Sequence, residues 1–191
     1  CDYLYDKGLE VICFDRYNSE QDIGNLKYSK HINKFEIIFG DVRDFDSVND
    51  SISKVDTVFH LAALIGIPYS YKSPLAYIRT NIEGTYNILE SCKSNNIKNL
   101  VLTSTSETYG SAQYMPIDEY HPIVSQSPYA ASKAAADQLA ADAGKVAENI
   151  AGAAEALGEA KSDIGKALDV SIAQAENAMA FATESLAKGD I

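Results

Sequence analysis

A tyrosine and a lysine four residues apart, Tyr129 and Lys133, are the strongest candidates for chemistry in this sequence. Ser127 suits a helix N-cap and Pro128 suits the first helical position, which predicts a helix with both side chains on one face. A neighbouring ammonium group stabilises a phenolate. Such a tyrosine can take a proton from a hydroxyl group while hydride leaves the same carbon. Surface helices also produce this spacing, so the pair alone does not establish a site.

A polar turn at 104–110 is the second candidate, and it follows the strand-like run 100–103. Ligands of open α/β sheets bind at the carboxyl ends of the strands. The turn contains Thr105, Ser106 and Glu107. Two hydroxyl groups and a carboxylate in that place can hold a sugar and abstract a proton. The alternative is an ordinary polar turn that is closed by Gly110.

Two aspartates end strand-like runs and are candidates for dinucleotide contacts. Asp15 follows the run 11–14, where a carboxylate can accept hydrogen bonds from ribose hydroxyls and would repel a 2′-phosphate. A turn residue without a ligand is the alternative. Asp41 ends the run 35–39, where an adenine ring could be contacted. His60 is expected to be a core or strand-end histidine, and no spacing in the sequence predicts a metal site.

The composition limits the classes of protein to which this chain can belong. Its 191 residues are 46% hydrophobic, which is enough for one core. A net charge of −11 argues against nucleic acid or an anionic membrane as the main partner. No apolar run approaches the roughly 20 residues that span a bilayer. The 3 cysteines are widely spaced, which predicts no disulfide framework and favours a reducing, cytoplasmic setting.

The chain divides by composition near residue 141. Residues 1–140 contain all 12 tyrosines and all 5 prolines, whereas residues 141–191 are rich in Ala, Glu, Lys and Gly. Apolar residues in the second part recur every three or four positions, which predicts an amphipathic helical tail that packs or oligomerises. One long helix and a helical hairpin that breaks near Gly158 or Gly165 are both compatible with this pattern.

The first part alternates strand-like and helical patterns. The apolar runs 11–14, 35–39, 57–61 and 100–103 are typical of strands that are buried on both faces, and the longest helical pattern covers about 74–94. Strands that alternate with helices predict an α/β fold with a doubly wound parallel sheet, of the Rossmann type.

These segments resemble the extended short-chain dehydrogenases, and they come in that family's order along residues 1–140. Within the family, the segment Thr105-Ser106-Glu107 resembles that of the dehydratases, because simple 4-epimerases usually lack a glutamate at the position of Glu107. The stretches 62–71 and 112–119 resemble most closely the NAD-dependent nucleotide-sugar 4,6-dehydratases of bacterial N-acetyl-sugar and legionaminic-type pathways.

The resemblance implies NAD as cofactor and a nucleotide-linked hexose or hexosamine as substrate. It implies catalytic roles for five residues: Tyr129, Lys133, Thr105, Glu107 and Ser106. It implies cofactor contacts for nine: Asp15, Asp41, Val42, Leu61, Ala62, Ala63, Asn81, Tyr129 and Lys133. Asn81 is expected to help shape the active-site helix.

The resemblance also implies a redox-neutral reaction that yields a 4-keto-6-deoxy sugar. Tyr129, assisted by Lys133, would take the proton from the sugar O4 while hydride passes from C4 to NAD, and Thr105 would hydrogen-bond O4. Glu107 would then remove the C5 proton, water would leave from C6, and hydride would return there. Some sugar dehydratases carry an aspartate where this chain has Ser106, so Glu107 is expected to protonate the leaving hydroxyl as well.

Two family features are missing from this sequence. It starts after the first strand and the glycine-rich turn that cradles the pyrophosphate, and the Ala-rich tail stands where a substrate domain would follow. We expect the neighbours of the missing strand either to close up or to leave backbone groups unpaired. We also expect weak or absent NAD binding and no useful turnover.

Three other functions are compatible with the sequence. They are a UDP-glucuronate decarboxylase, a sugar 4-epimerase, and a non-catalytic, truncated Rossmann fragment whose helical tail associates. A homodimer is one possible assembly.

Overall fold

The computed structural model describes the backbone of residues 1–150 and the side chains of residues 1–143. Its last helix, α6 (Pro128–Ile150), runs through position 141, where the composition changes. The predicted tail covers 141–191, and its part from 151 onwards lies outside the described residues. The division of the chain into two parts therefore stays a prediction.

Four short parallel strands form the sheets: β1 (Ile12–Arg16), β2 (Glu36–Gly40), β3 (Thr57–His60) and β4 (Asn99–Leu102). β1 pairs with β2, so that Asp15 lies opposite Phe39. β3 pairs with β4, so that Phe59 lies opposite Val101. All four predicted strands are present, and both pairs are parallel, as predicted.

The strands form two separate two-stranded sheets. Of the two expected outcomes, closing up is therefore not observed: within the described residues, β1 and β2 do not pair with β3 or β4. A single helical layer supports both sheets: α2 (Phe45–Ile52) packs against α5 (Gly84–Ser94). The cluster between these helices, built around Val48 and Ile88, also receives Phe14 from β1, Val58 from β3 and Leu100 from β4.

The prediction that the strands are buried on both faces is wrong for β3 and β4. Val58 and Leu100 face the helical layer, whereas Phe59 and Val101 are each 47% exposed on the opposite face. The physical reason is that, within residues 1–150, too little packs on that face to cover it. A continuous apolar run identifies a strand, but it does not show that both faces have a cover.

The long helical pattern predicted at about 74–94 is present and contains one irregular turn. After the short α3 (Ile67–Lys72), the chain continues through α4 (Pro74–Tyr77), a π-helical segment (Ile78–Glu83) and α5. Such π-helical turns occur frequently at functional sites. Gly84 begins α5 where a Cβ would lie 2.8 Å from Cγ2 of Val42, so glycine permits the close approach of this helix.

The start of α6 agrees with the prediction. The Ser127 hydroxyl accepts a hydrogen bond from the Ala130 amide at 3.0 Å, which is N-cap geometry, and Pro128 occupies the first helical position. The alanines of the first turns, including Ala131 and Ala135, are buried. Their small side chains let α6 pack closely on α3, α4, α5 and the π-helical segment.

Residues 1–41 are less tightly packed. They contain α1 (Asp2–Asp6) and two 3₁₀ segments (Gly24–Tyr28 and Ile32–Lys34). Phe35 is the buried apolar side chain of this region. Across the described part of the chain, no helix combines the length and the apolar character that crossing a bilayer requires.

Candidate active site

Lys133 lies at the centre of the candidate site, in the second turn of α6. Its side chain is 4% exposed, and Nζ donates a hydrogen bond of 2.6 Å to the Thr103 carbonyl, just past the end of β4. Burial lowers the pKa of the Lys133 ammonium, and the charge of Asp137 opposes this effect. The carboxyl end of β4 is therefore attached directly to the helix that carries Tyr129.

Tyr129 lies one turn before Lys133 and is partly exposed. Its ring meets that of Tyr77 edge-on, with 6.1 Å between the ring centroids. Tyr77 is completely buried, and its hydroxyl lies 2.7 Å from the Gly66 carbonyl oxygen and 2.8 Å from that of Ile65. The phenol of Tyr129 thus rests on a ring that is itself held in place by the loop after β3.

The predicted polar turn forms a short 3₁₀ helix (Ser106–Tyr109), which we call the post-β4 turn. The Thr105 hydroxyl accepts a hydrogen bond from the Glu107 amide at 3.3 Å. Thr108 is buried, and its hydroxyl donates to the Thr105 carbonyl at 2.8 Å. The chain leaves the turn at Gly110, whose φ of 65° is in the left-handed region.

The post-β4 turn packs against α6. Glu107 and Ser106 are exposed, while Thr105 and Tyr129 are partly exposed, so none of these four side chains is lost in an apolar interior. The hydroxyl and carboxylate groups predicted for catalysis therefore lie on or directly beside two contacting elements, and the buried ammonium of Lys133 bonds the chain just before them, at Thr103.

Asn81 joins the loop after β3 to α6. It is 1% exposed, and its Oδ1 accepts a hydrogen bond of 2.7 Å from the Leu64 amide. Its Nδ2 donates to the Leu64 carbonyl at 3.0 Å and to the Ser132 hydroxyl at 2.9 Å. The Asn81 side chain is occupied by these protein contacts, so any effect on a cofactor would pass through the loop. Within the loop, Leu61 is 69% exposed, Ala62 is exposed and Ala63 is half-buried.

His60 is a buried structural histidine, as predicted. Its Nε2 lies 3.0 Å from the Thr85 hydroxyl, which itself donates to the Asn81 carbonyl at 2.7 Å. The hydroxyl must therefore accept from His60, so Nε2 carries the hydrogen. Burial, with a smaller effect from the Lys133 charge, lowers the pKa of His60 to about 4. The imidazole is therefore neutral at pH 7.

The residues predicted for the adenosine end of a cofactor lie near the other sheet. Asp15, close to the end of β1, accepts a hydrogen bond from the Arg16 amide at 2.7 Å. It lines an open cleft of about 630 Å³ that also includes Asn18 and Asp22. Carboxylate and amide groups of this kind suit ribose hydroxyls.

The two residues predicted after β2 have protein partners. The Arg43 guanidinium bonds both carboxylate oxygens of Asp41, at 2.9 and 2.5 Å, and holds the pKa of Asp41 below its usual value. Val42 is buried, and its carbonyl accepts a hydrogen bond from Asn87 at 2.9 Å. These contacts define the shape of the loop that would face an adenine ring.

The structure therefore gathers the predicted residues into two groups. Those on α6, the post-β4 turn and the loop after β3 form one connected region, and Asp15, Asp41 and Val42 form another beside β1 and β2. Sequence reasoning missed three polar residues that support the first group: Thr85, Ser132 and Asp137. The available signal was their helical spacing, since Thr85 follows Asn81 by four positions and Asp137 follows Lys133 by four.

The family model of GDP-mannose 4,6 dehydratase matches residues 1–151. The chain belongs to this dehydratase family. A dTDP-glucose 4,6-dehydratase from Streptomyces niveus is 33% identical over 133 residues, which cover 70% of this chain and 40% of that enzyme. A UDP-glucose 4-epimerase from Lacticaseibacillus casei is 37% identical over 102 residues, which cover 52% of this chain and 31% of that enzyme.

Solved structures of both kinds of enzyme are similar to this dehydratase-family chain. The UDP-glucose 4-epimerase of Bifidobacterium longum, in complex with NAD⁺ and UDP, has a TM-score of 0.67 and 26% identity, over 79% of this chain and 45% of that one. The dTDP-glucose 4,6-dehydratase of Streptomyces venezuelae, with NAD and TYD bound, has a TM-score of 0.63 and 30% identity, over 70% and 41%. In each case the chain spans less than half of the relative.

The comparisons confirm the predicted Rossmann-like α/β fold and the extended short-chain dehydrogenase family of nucleotide-sugar dehydratases and epimerases. The pathway type, the substrate and the role of each site residue stay predictions.

Proposed function

We propose that this dehydratase-family chain carries the reaction centre of an NAD-dependent 4,6-dehydratase, which converts a nucleotide-linked hexose or hexosamine to its 4-keto-6-deoxy form. The observation that supports this best is the packing of the post-β4 turn on α6. It brings an exposed carboxylate, Glu107, and the Thr105 hydroxyl to the element that carries Tyr129 and Lys133.

The chemistry assigned to the side chains follows from their positions. The buried Lys133 ammonium stabilises Tyr129 as a phenolate, which accepts the proton of the sugar O4 and becomes a neutral phenol. Thr105 hydrogen-bonds O4. Glu107 removes the proton from C5, which the neighbouring 4-ketone makes acidic, and returns a proton to the hydroxyl that leaves C6. Ser106 is exposed beside Glu107, where it can hydrogen-bond the same sugar.

When bound, NAD would supply the acceptor for the C4 hydride and return that hydride to C6. Asp15 would hold the adenosine ribose. The open loop at 61–63 would contact the part of the dinucleotide that leads from the adenosine towards Tyr129. The described residues fit the adenosine end and the reacting end of NAD, but residues 1–150 include no glycine-rich turn that would bind its phosphates. We therefore expect NAD affinity weaker than micromolar, and a calorimetric titration that gives micromolar affinity would contradict this expectation.

The finer substrate assignment rests on α3. Most of this helix belongs to the stretch 62–71 that resembles dehydratases that act on N-acetyl sugars, and Tyr69 within it is exposed. We infer a nucleotide-linked N-acetylhexosamine of the legionaminic-type pathway as the substrate. Placement in the cytoplasm and assembly as a homodimer are further expectations.

The test is incubation of the full chain with NAD at millimolar concentration and, in separate reactions, with UDP-N-acetylglucosamine, dTDP-glucose and GDP-mannose. We expect turnover far too slow to be useful, seen only as a trace loss of one water from one of these sugars by mass spectrometry, and no such loss in Glu107→Gln or Tyr129→Phe. Asp46→Asn, an exposed acid of α2, is the matched control for Glu107. Water loss that persists in Glu107→Gln would contradict the assigned role, and the absence of conversion with bound sugar and NAD would contradict dehydration.

A sugar 4-epimerase is the second candidate, because the relative from Lacticaseibacillus casei is 37% identical over its matched segment. Its product has the mass of the substrate and differs only at C4, so proton NMR distinguishes it from a dehydration product. With UDP-glucuronate, loss of carbon dioxide would instead identify a decarboxylase. In an epimerase, Glu107→Gln should leave turnover unchanged, because that reaction removes no proton from C5.

A further inference from the structure

An acid on α6, Asp137, lies one helical turn beyond Lys133 and takes part in no step assigned above. The Ser104 hydroxyl donates a hydrogen bond to its Oδ2. Its Oδ1 is shielded from solvent and has no hydrogen-bond partner among the described residues. Burial raises the pKa of Asp137, while the Ser104 hydrogen bond and the Lys133 charge lower it.

The surroundings of Lys133 explain why such an acid matters. A buried ammonium loses its hydration, and that loss disfavours the charged form. Its Nζ donates to a neutral group, the carbonyl of Thr103 just past β4, and the neighbouring imidazole of His60 at the end of β3 is uncharged at pH 7. On α6, Asp137 is the acid whose negative charge favours the protonated form of Lys133.

Ser104 and Thr103 are neighbours at the end of β4, and they contact successive turns of α6. Thr103 accepts from Lys133, and Ser104 donates to Asp137. The hydrogen bond from Ser104 favours the ionised carboxylate. One short segment of chain, directly before Thr105 and the post-β4 turn, therefore orients both Lys133 and Asp137.

We propose that Asp137, kept ionised by Ser104, is a positioning residue that holds Lys133 protonated while its Nζ is fixed at the carboxyl end of β4. Its importance for turnover rests on the proposed function. The effect of the Asp137 charge on the titration of Lys133 can be measured in the chain without any ligand.

The experiment follows the Cε resonances of ¹³C-labelled lysine as a function of pH, with the Lys133 signal assigned by its absence from Lys133→Met. Asp137→Asn keeps an oxygen that can accept from Ser104 but removes the charge. We expect it to shift the Lys133 titration midpoint to lower pH by about half a unit or more. Ser104→Ala keeps the acid and should give a smaller shift in the same direction. Asp46→Asn, which changes the net charge equally at a remote exposed site, should give none.

A folded Asp137→Asn chain whose Lys133 midpoint is unchanged, or is shifted to higher pH, would overturn the assignment. If Asp137→Asn does not fold, Ser104→Ala carries the test, and an unchanged midpoint in that variant has the same meaning. Asp137→Glu should restore the wild-type midpoint. A shifted midpoint together with absent sugar dehydration would contradict the proposed function alone, so the two failures are distinguishable.

Discussion

The region around β1 and β2 and the region around β3, β4 and α6 hold their side chains in different ways. In the first region, residues 1–41, the polar contacts lie at the surface, as in the pairing of Asp6 with Lys30 and His31. In the second, residues 57–143, buried polar groups bond one another: His60 to Thr85, and Asn81 to Leu64 and Ser132. Buried hydrogen bonds fix geometry more strictly than exposed ones. The predicted catalytic side chains therefore rest on a rigid support, whereas Asp15 lies beside an open cleft.

The largest loss of stability should come from removing Asn81, which lies at the centre of the buried hydrogen bonds of the second region. We expect Asn81→Ala to lower the free energy of unfolding by about 3–4 kcal/mol, because it leaves the amide and carbonyl groups of Leu64 without these partners and removes the hydrogen bond that the Ser132 hydroxyl accepts. Urea denaturation measures this. Asn25→Ala, at an exposed position of the first region, should change little. Equal effects of the two substitutions would remove the contrast between the regions.

Two glycines with positive φ provide a matched pair across the regions. At Gly110 a Cβ would lie 2.1 Å from the Val124 carbonyl oxygen, whereas at Gly8 nothing lies within 4 Å. We expect Gly110→Ala to cost about 2–3 kcal/mol and Gly8→Ala about 1 kcal/mol, which is the left-handed strain alone. Thermal and urea denaturation of both variants would test this order. A larger loss in Gly8→Ala would mean that the turn before β1 is packed more tightly than the post-β4 turn.

The second region should also make stability depend on pH. The pKa of His60 is lowered to about 4 in the folded chain. Because the unfolded histidine titrates near 6.5, the unfolded chain binds more protons between these values, and stability falls as the pH is lowered through that range. We expect a loss of about 2 kcal/mol between pH 7 and pH 5 that is absent in His60→Gln. Denaturation at the two pH values compares the variant with the wild type, and identical losses would contradict this origin.

The smallest change in stability is expected for a substitution at the surface of the first region. Lys30 donates a 2.7 Å hydrogen bond to Asp6 and thereby lowers the pKa of that carboxyl, yet both side chains are well exposed. Water and salt screen such pairs. Lys30→Gln should therefore leave the urea midpoint unchanged at low and high salt. A salt-dependent loss of stability would show that the first region relies on its surface charges.

Much of the architecture was predictable from local patterns. The apolar runs predicted all four strands, and Ser127 with Pro128 predicted the start of α6. The exposed face of β3 and β4 was not predictable, because an apolar run such as the one around Phe59 carries no information about what covers it. Asp137 was missed for a different reason: its nearest polar partner, Ser104, is 33 residues away in the sequence.

The sequence by itself determined the order of strands and helices and the identity of the chemical groups, because these depend on side-chain type and on spacing within a few residues. The tertiary structure alone decided which of those groups meet. The contacts of Asn81 with Ser132 and of Lys133 with Thr103 span 51 and 30 residues. Such contacts form only when packing brings distant segments together and burial removes water as a competing partner, and no local pattern encodes that.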